Sequence, residues 1–191
     1  MTKKSMGIIV VFISLLMAVS LSAKGPQGGI NGQSLGNLTD KEIEHITYIR
    51  QEEKLARDVY STLNEKYEAP IFANISESEQ RHMDALKKLI DKYGLEDPVE
   101  DDTVGLFPTR ESPDDTDFNV LYNDLVEQGS NSYCDALQVG IDIENLDIKD
   151  IETALDGAEA RDVTRVFNNL LSGSYNHLNA FTSQQATAGC N

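Results

Sequence analysis

The chain has 191 residues, of which 40% are hydrophobic and 25% charged, and its formal net charge at pH 7 is −16. This length is enough for one domain with a sizeable core. The negative field repels nucleic-acid phosphates and anionic lipid headgroups, which argues against nucleic-acid binding, and it attracts cations; solubility alone explains it equally well.

The first 23 residues have the pattern of a secretory signal peptide. Lys3 and Lys4 precede an apolar run, 6–21, that ends among small residues. We expect cleavage after Ala23, export to the periplasm or the extracellular space, and a mature form that does not span the membrane. An uncleaved anchor is the alternative, although the run is shorter than the ~20 residues that comfortably span a bilayer.

The pattern after the signal peptide becomes helical. Residues 24–38 show no periodicity and predict a disordered lead-in. A capping box at Thr39 begins a first helix over about 40–67. Pro70 marks the start of a second helix, which stops at Gly94.

The middle of the chain, 96–117, is rich in proline and acids and predicts a long loop, pinned by its apolar cluster at 104–107. Asp147 and Asp150 are placed to cap a short helix that follows them. Helical patterns occupy about 118–128, 130–146, 148–155 and 161–185.

The sequence has neither the alternation of strands nor a long repeat. It therefore predicts an all-α fold, an antiparallel four-helix bundle with a long connection between its second and third principal helices. We expect residues 39–186 to form this domain and 187–191 a C-terminal tail. A homodimer is left open.

Each of the four long predicted helices carries a metal-capable side chain on its apolar stripe: Glu53, Glu79 with His82, Glu144, and His177. A carboxylate that faces a core is costly unless it is paired or bound to a cation. A Glu-x-x-His pair, such as Glu79 and His82, places oxygen and nitrogen ligands on one metal. The coincidence on four helices predicts a metal site.

Several neighbours of this set have two interpretations. Glu52 could be the ligand instead of Glu53, although the apolar stripe favours Glu53. Tyr60 and Tyr175 could relay an electron or hydrogen-bond a ligand, or could simply fill the core. Arg57 could neutralise a buried carboxylate or lie on the surface.

Three segments carry a resemblance to known proteins. Glu53–Tyr60 resembles the first metal-ligand helix of rubrerythrins, and Glu79-x-x-His82 resembles the second. With Asn176-His177-Leu178, they make residues 38–184 similar to a ferritin-like family called domain of unknown function 2202. The resemblance implies a ferritin-like four-helix bundle that holds a carboxylate-bridged pair of iron or manganese ions.

Position 174 departs from that pattern. Ser174 stands three residues before His177, where the superfamily has a bridging glutamate. Asp147 then becomes a conditional ligand, because Glu144 and Asp147 resemble a Glu-x-x-Glu pair of rubrerythrins. Asp147 could instead cap a helix, and Glu144 could be an N-cap partner. A site for one ion and a site for two ions both stay open.

Two cysteines in an exported chain predict a disulfide. If Glu144 and His177 lie at one level of antiparallel helices, Cys134 lies level with position 187. Cys190, on a flexible tail just beyond that level, can then reach it.

The sequence thus predicts an exported iron or manganese protein. Reaction with dioxygen or peroxide, or oxidation of ferrous ion, would make it a peroxidase or ferroxidase. The sequence lacks the Cys-x-x-Cys centre by which rubrerythrins receive electrons. The alternative is a non-catalytic module in which the metal is sequestered or merely joins the helices.

Overall fold

The computed structural model describes residues 38–109 and 115–190, and these contain five helices and no strands. The all-α prediction is confirmed for this part of the chain. The predicted signal peptide and the lead-in up to residue 37 lie outside it. The helices are α1 (Asp40–Tyr67), α2 (Pro70–Tyr93), α3 (Phe118–Gly129), α4 (Tyr133–Asp156) and α5 (Arg161–Ala188).

Helix ends follow local chemistry. Thr39 and Glu42 form the expected capping box at the start of α1. Glu42 also accepts hydrogen bonds from the backbone N–H groups of Glu159 and Ala160, at 2.9 and 2.7 Å, and so joins the start of α1 to the turn before α5. Gly94 ends α2 in the left-handed conformation, with φ +66°.

The predicted break at Asp147 is wrong. Helix α4 runs without interruption from its N-cap, Ser132, to Asp156. Asp147 lies on the buried face of this helix, and its side chain accepts a hydrogen bond from Ser174 instead of capping the backbone. Since neither glycine nor proline occurs between residues 141 and 156, nothing in the backbone ends the helix there.

Helices α1, α2, α5 and α4 pack against one another in that cyclic order, and α3 packs outside α1 and α4. Their buried apolar side chains form two clusters. One surrounds Tyr60, Phe72 and Phe181. The other surrounds Ile49 and Leu86 among others. Between the two clusters, each of the four helices buries at least one polar side chain, Glu53, Glu79, Glu144 or His177, so a polar layer separates two apolar cores.

The loop after α2 covers the outer face of α1. Asp58 accepts hydrogen bonds from the backbone N–H of Gly105 at 2.9 Å and from Lys54 at 2.5 Å. Phe107 is buried and its ring lies under the Lys54 ammonium, but Val104 and Leu106 are about half exposed. Of the apolar cluster that was expected to anchor the loop, only Phe107 is therefore buried. Hydrogen bonds to the buried charged side chains of α1 hold the rest of the loop.

A disulfide joins Cys134 to Cys190, with the two Cα atoms 5.5 Å apart. It links the start of α4 to Cys190, two residues past the end of α5. Helix α5 extends to Ala188, so position 187, expected to begin a tail, is helical. Among the described residues, no helix is both long and apolar enough to cross a bilayer.

Candidate metal centre

The polar layer contains the predicted ligands from all four helices. Glu53 lies on α1, Glu79 and His82 on α2, Glu144 on α4 and His177 on α5. Glu53, Glu79 and Glu144 are at most 2% exposed. Each helix passes from one apolar cluster to the other at this level, so the amphipathic pattern that builds the cores also brings these side chains together.

Glu79 lies at the centre of the layer. Its Oε2 atom is 2.7 Å from Nδ1 of His82, and its Oε1 atom is 2.8 Å from Nδ1 of His177. The two imidazole rings stack, with centroids 5.5 Å apart. One carboxylate thus places one oxygen beside each histidine.

Two groups of possible ligands share Glu79. The first consists of Glu53, Glu79 and His82, and the second of Glu79, Glu144 and His177; within each group the ligand atoms lie within 4.8 Å of one another. Oε2 of Glu53 is 3.2 Å from Nδ1 of His82, and Oε2 of Glu144 is 3.5 Å from Nδ1 of His177. The arrangement offers two adjacent positions with Glu79 between them.

Tyr60 orients the second group. Its hydroxyl donates to Oε1 of Glu144 at 2.7 Å, which leaves Oε2 of that carboxylate directed toward His177. Tyr60 itself is fully buried and packs on Phe72 and Phe181. It therefore fills the core and also hydrogen-bonds a candidate ligand, which joins its two predicted roles.

Ser174 and Asp147 lie beside the two groups, and both are buried. The Ser174 hydroxyl donates to Oδ2 of Asp147. Oδ1 of Asp147 has no hydrogen-bond donor. Asp147 can thus offer one oxygen to the site while Ser174 holds the other, and the helix-cap interpretation of Asp147 is excluded because the residue lies inside α4.

Burial and mutual repulsion govern protonation here. Burial would raise the pKa of Glu79, but contacts with His177 and His82 outweigh it and lower that pKa to about 2. Burial would lower the imidazole pKa values, but the nearby carboxylates raise them to about 11 for His82 and about 9 for His177. Without a cation, both imidazoles are therefore protonated at neutral pH.

The remaining carboxyls resist ionisation. Burial, with the charge of Glu79, raises the pKa of Glu144 to about 8. Burial raises the pKa of Asp147 to about 7. Burial, with the charge of Asp147, raises the pKa of Glu53 well above its ordinary value. These groups cannot all carry negative charge together unless positive charge is supplied.

The donor set fits a divalent cation. Glu53 Oε1, Glu79 Oε1, Asp147 Oδ1 and His177 Nδ1 are buried and have no hydrogen-bond partner. Glu79 Oε1 and His177 Nδ1 are 2.8 Å apart without the angle of a hydrogen bond. Oxygen and nitrogen atoms without partners are available to a cation, which would displace the proton of the imidazole on binding.

The remaining residues singled out from the sequence lie outside the two ligand groups. Tyr175 is 43% exposed and its hydroxyl donates to Glu152, so it neither fills the core nor reaches the layer. Glu52 is buried but does not belong to either group. Arg57 pairs with buried Asp58, as one of its two interpretations required.

Gly173 is a site residue that the sequence interpretation missed. A Cβ at this position would lie 2.5 Å from Nε2 of His82 and 3.9 Å from Cε1 of His177. The missing side chain is what lets the His82 ring lie against α5. A glycine inside a helix one residue before a polar core position was the available signal, since such a glycine costs helix stability without a packing reason.

Comparison with known proteins gives a consistent set of relatives. A family model described as an uncharacterized protein domain (DUF2202) matches residues 42–191. Uncharacterized protein MJ0754 of Methanocaldococcus jannaschii is 45% identical over 154 residues, 81% of this chain and 80% of that protein. The crystal structure of hypothetical protein MJ0754 from Methanococcus jannaschii has a TM-score of 0.75 at 42% identity, covering 88% of this chain and 89% of that chain.

Proposed function

Because this chain belongs to the DUF2202 family, whose description states no activity, we propose a function from the geometry of its polar layer: it binds divalent iron or manganese. One position is formed by Glu53, Glu79 and His82, and the other by Glu79, Glu144 and His177. The observation that carries the proposal is the position of Glu79, which directs one oxygen to each histidine.

The proposed architecture is the ferritin-like four-helix bundle. Two facts support it. Four helices pack in a closed cycle, α1, α2, α5 and α4, and each contributes at least one group to the layer. The layer lies between two apolar clusters, which exclude water from both sides. This is how carboxylate and imidazole sites are built inside helix bundles.

The chemistry of the donors favours iron or manganese. Carboxylate oxygens and imidazole nitrogens suit these ions, whereas sites for soft metals use thiolates, and both cysteines of the chain are in the disulfide. Such ions, when bound with open coordination positions, supply electrons to dioxygen or peroxide. Around them Glu79 fixes both imidazoles, Tyr60 fixes Glu144, and Gly173 gives His82 its place.

A second function, binding without turnover, has one observation in its favour. The hydroxyl of Ser174 donates to Asp147, at the position where a second carboxylate bridge is expected from the rubrerythrin resemblance. With one bridge fewer, the two positions are less firmly joined. In this alternative the centre stores or sequesters the metal, or connects the four helices.

We also propose that the protein works outside the cytoplasm. The disulfide between Cys134 and Cys190 supports this, since such bonds persist in oxidising compartments. The predicted signal peptide agrees with it. Labelling of intact cells with an impermeant reagent would test this location separately from the metal chemistry.

The test is an anaerobic titration with ferrous ion, followed by air or peroxide, with the ultraviolet absorption of ferric ion as the readout. Oxidation within seconds supports redox turnover; tight binding without oxidation supports sequestration. Glu77→Gln is the matched control, because Glu77 is exposed on the same helix two residues before Glu79. Equal metal binding by Glu79→Gln, Glu77→Gln and the wild type would refute both functions.

A further inference from the structure

A row of aromatic rings leads away from the centre. Tyr60 begins it: its hydroxyl donates to Oε1 of Glu144 at 2.7 Å, so the row starts at a candidate ligand. The centroid of its ring lies 5.1 Å from that of Phe181 and 6.4 Å from that of Phe72. The Phe72 and Phe181 centroids are 5.7 Å apart, and such separations are those of rings in direct contact. All three rings are fully buried, so this part of the row is shielded from water.

The row ends at two tyrosines, Tyr67 and Tyr133, which we call the outer tyrosines. Phe72 contacts both of them, at centroid distances of 6.4 and 6.3 Å. The outer tyrosines contact each other at 5.6 Å. Tyr67 is the last residue of α1 and Tyr133 the first of α4, and both are partly exposed. The aromatic row, Tyr60, Phe181, Phe72, Tyr67 and Tyr133, therefore connects the centre to the surface at one end of the bundle.

The two kinds of ring in this row differ in how easily they lose an electron. A tyrosine gives up one electron together with its phenol proton, whereas a phenylalanine ring is much harder to oxidise and serves only as a bridge. The aromatic row has tyrosines at both of its ends and phenylalanines in between. Packing alone does not require a phenol at the inner end, where the hydroxyl of Tyr60 faces a carboxylate and not solvent.

The proposed centre needs electrons that its own ions do not hold. Reduction of dioxygen to two water molecules takes four electrons, of which two ferrous ions supply two. The sequence has no Cys-x-x-Cys centre to supply the others, and both of its cysteines are in the disulfide. Without another donor the reaction ends at hydrogen peroxide, whose formation takes only two electrons.

We propose that the aromatic row carries oxidising equivalents from the centre to the outer tyrosines, an inference that rests on the proposed function. Tyr60 passes one electron to the centre and its phenol proton along the hydrogen bond to Glu144. An electron from an outer tyrosine crosses Phe72 and restores Tyr60, which takes its proton back. The buried rings keep water away from the oxidised tyrosine during the transfer.

Electrons and protons balance over two such transfers. Tyr67 and Tyr133 each lose one electron and release one proton to solvent. Together with the two electrons of the ferrous ions, these electrons convert dioxygen and four protons into two water molecules. A phenol-class donor at the surface then returns one electron and one proton to each outer tyrosine.

The direct test locates the oxidised residues. The full chain is loaded anaerobically with two ferrous ions, one for each ligand group, and mixed with dioxygen and a nitroso spin trap. Mass spectrometry then maps the adducts. Adducts on Tyr67 and Tyr133, or a covalent bond between them, support the row. Tyr175 is the internal control, because it is 43% exposed and lies outside the row. Equal adducts on Tyr175, or iron oxidation without adducts on the outer tyrosines, would overturn the proposal.

A substitution in the middle of the row tests the path. Phe72→Leu removes the ring between Tyr60 and the outer tyrosines, so it should lose the adducts and release hydrogen peroxide in place of water. Phe118→Leu is the matched control, because Phe118 is also buried but its ring contacts Tyr48 and Phe107 outside the row. Circular dichroism verifies the fold of both variants. Unchanged adducts in folded Phe72→Leu would overturn the path.

A second variant keeps the packing of the row. Tyr67→Phe combined with Tyr133→Phe retains both rings but removes the phenols that give up electrons. It should release one hydrogen peroxide for every two ferrous ions oxidised, whereas the wild type should release none. Iron content, measured for each variant, separates loss of the path from loss of the ions. Water as the product of the double variant would contradict the role of the outer tyrosines.

The two proposals fail in different ways. If ferrous ion is neither retained nor oxidised, the proposed function fails and the row fails with it. If iron is oxidised while the outer tyrosines stay unmodified, the row is refuted and the proposed function stands. If the metal-free protein gains the same adducts, the oxidising equivalents do not come from the centre and the row is refuted.

Discussion

The two faces of α1 bury charged groups over the same turns, residues 52–60, but they do so in opposite ways. On the outer face, Asp58 accepts from the Lys54 ammonium at 2.5 Å and from the Arg57 guanidinium at 2.6 and 2.8 Å. On the inner face, both oxygens of Glu52 and Oε1 of Glu53 have no donor. The buried carboxylate of the outer face has hydrogen-bond donors, whereas these carboxyl oxygens of the inner face have none.

This difference separates a structural role from a binding role. A buried charge with all its partners costs little more to keep, whereas an unpaired one weakens the fold. The outer network attaches the loop of Thr103 and Gly105 to the helix. On the inner face, the two oxygens of Glu52 and Oε1 of Glu53 have no such partner in the metal-free fold, and under the proposed function a bound cation would supply one to Glu53.

Removing Asp58 from the outer face should have the largest effect on stability. Asp58→Ala leaves the buried Lys54 ammonium and the Arg57 guanidinium without their shared partner, which should cost about 3–5 kcal/mol of unfolding free energy. Denaturant unfolding measures it. Asp102→Ala is the control, because Asp102 pairs with Arg57 but its side chain is 62% exposed, so the loss should stay below about 1 kcal/mol. Equal losses would contradict the assigned role of Asp58.

The buried ionisable groups of the polar layer should make the stability of the metal-free protein depend on pH in an unusual way. The pKa values of Glu144, about 8, and Asp147, about 7, are raised in the fold, so the fold keeps their protons at pH values where the unfolded chain has released them, and stability falls as pH rises toward 7 and 8. The pKa of His177, about 9, is also raised, so its stabilisation is complete below about pH 6.5 and is lost as pH rises through 9.

The two carboxyl groups and the imidazole change the stability of the fold in the same direction. The metal-free protein should therefore lose stability between pH 6 and pH 9, by up to about 1.4 kcal/mol per pH unit for each proton involved. With Mn²⁺ bound the cation replaces these protons, and the loss should vanish. Thermal unfolding at both pH values, with and without Mn²⁺, measures the difference. A metal-free protein that is more stable at pH 9 would refute this description of the layer.

Gly173→Ala should weaken metal binding at the position of His82 by about tenfold to a hundredfold, the range seen when the orientation of a ligand is disturbed. The new Cβ would lie 2.5 Å from the His82 ring and must displace it, whereas its 3.9 Å distance from His177 is an ordinary contact. Calorimetric titration with Mn²⁺ tests this. Gly157→Ala is the control, since a Cβ there meets nothing within 4 Å.

The smallest effect is expected at the tyrosines. Tyr60→Phe removes the donor to Glu144 and should cost about 1 kcal/mol of stability, together with a few-fold loss of affinity at the position of His177. Tyr175→Phe breaks a hydrogen bond to Glu152 on the surface and should change neither quantity measurably. A stronger effect on metal binding from Tyr175 than from Tyr60 would contradict the assigned geometry.

The helices and the candidate ligands could be predicted because both depend on one periodicity. Polar residues at apolar positions of four helices indicated a shared layer, and the structure brings Glu53, Glu79, His82, Glu144 and His177 together. The continuity of α4 was missed because Asp147 is a good N-cap residue by type. Only its tertiary partner, Ser174, shows that its side chain faces inward.

Other features depend on contacts between distant segments and have weak signals in sequence. The pairing of Asp58 with both Lys54 and Arg57 becomes structural only when the loop covers it. The space for His82 beside Gly173 depends on how closely α2 and α5 approach. No local pattern encodes these distances.

The most direct test of the shared role of Glu79 is the count of iron or manganese ions that stay bound to each chain after desalting. Wild-type protein, loaded anaerobically with ferrous ion, should retain two ions at the centre, and Glu79→Ala should retain none, because both positions lose the same carboxylate. A Glu79→Ala protein that is folded and keeps the full metal content would contradict the account.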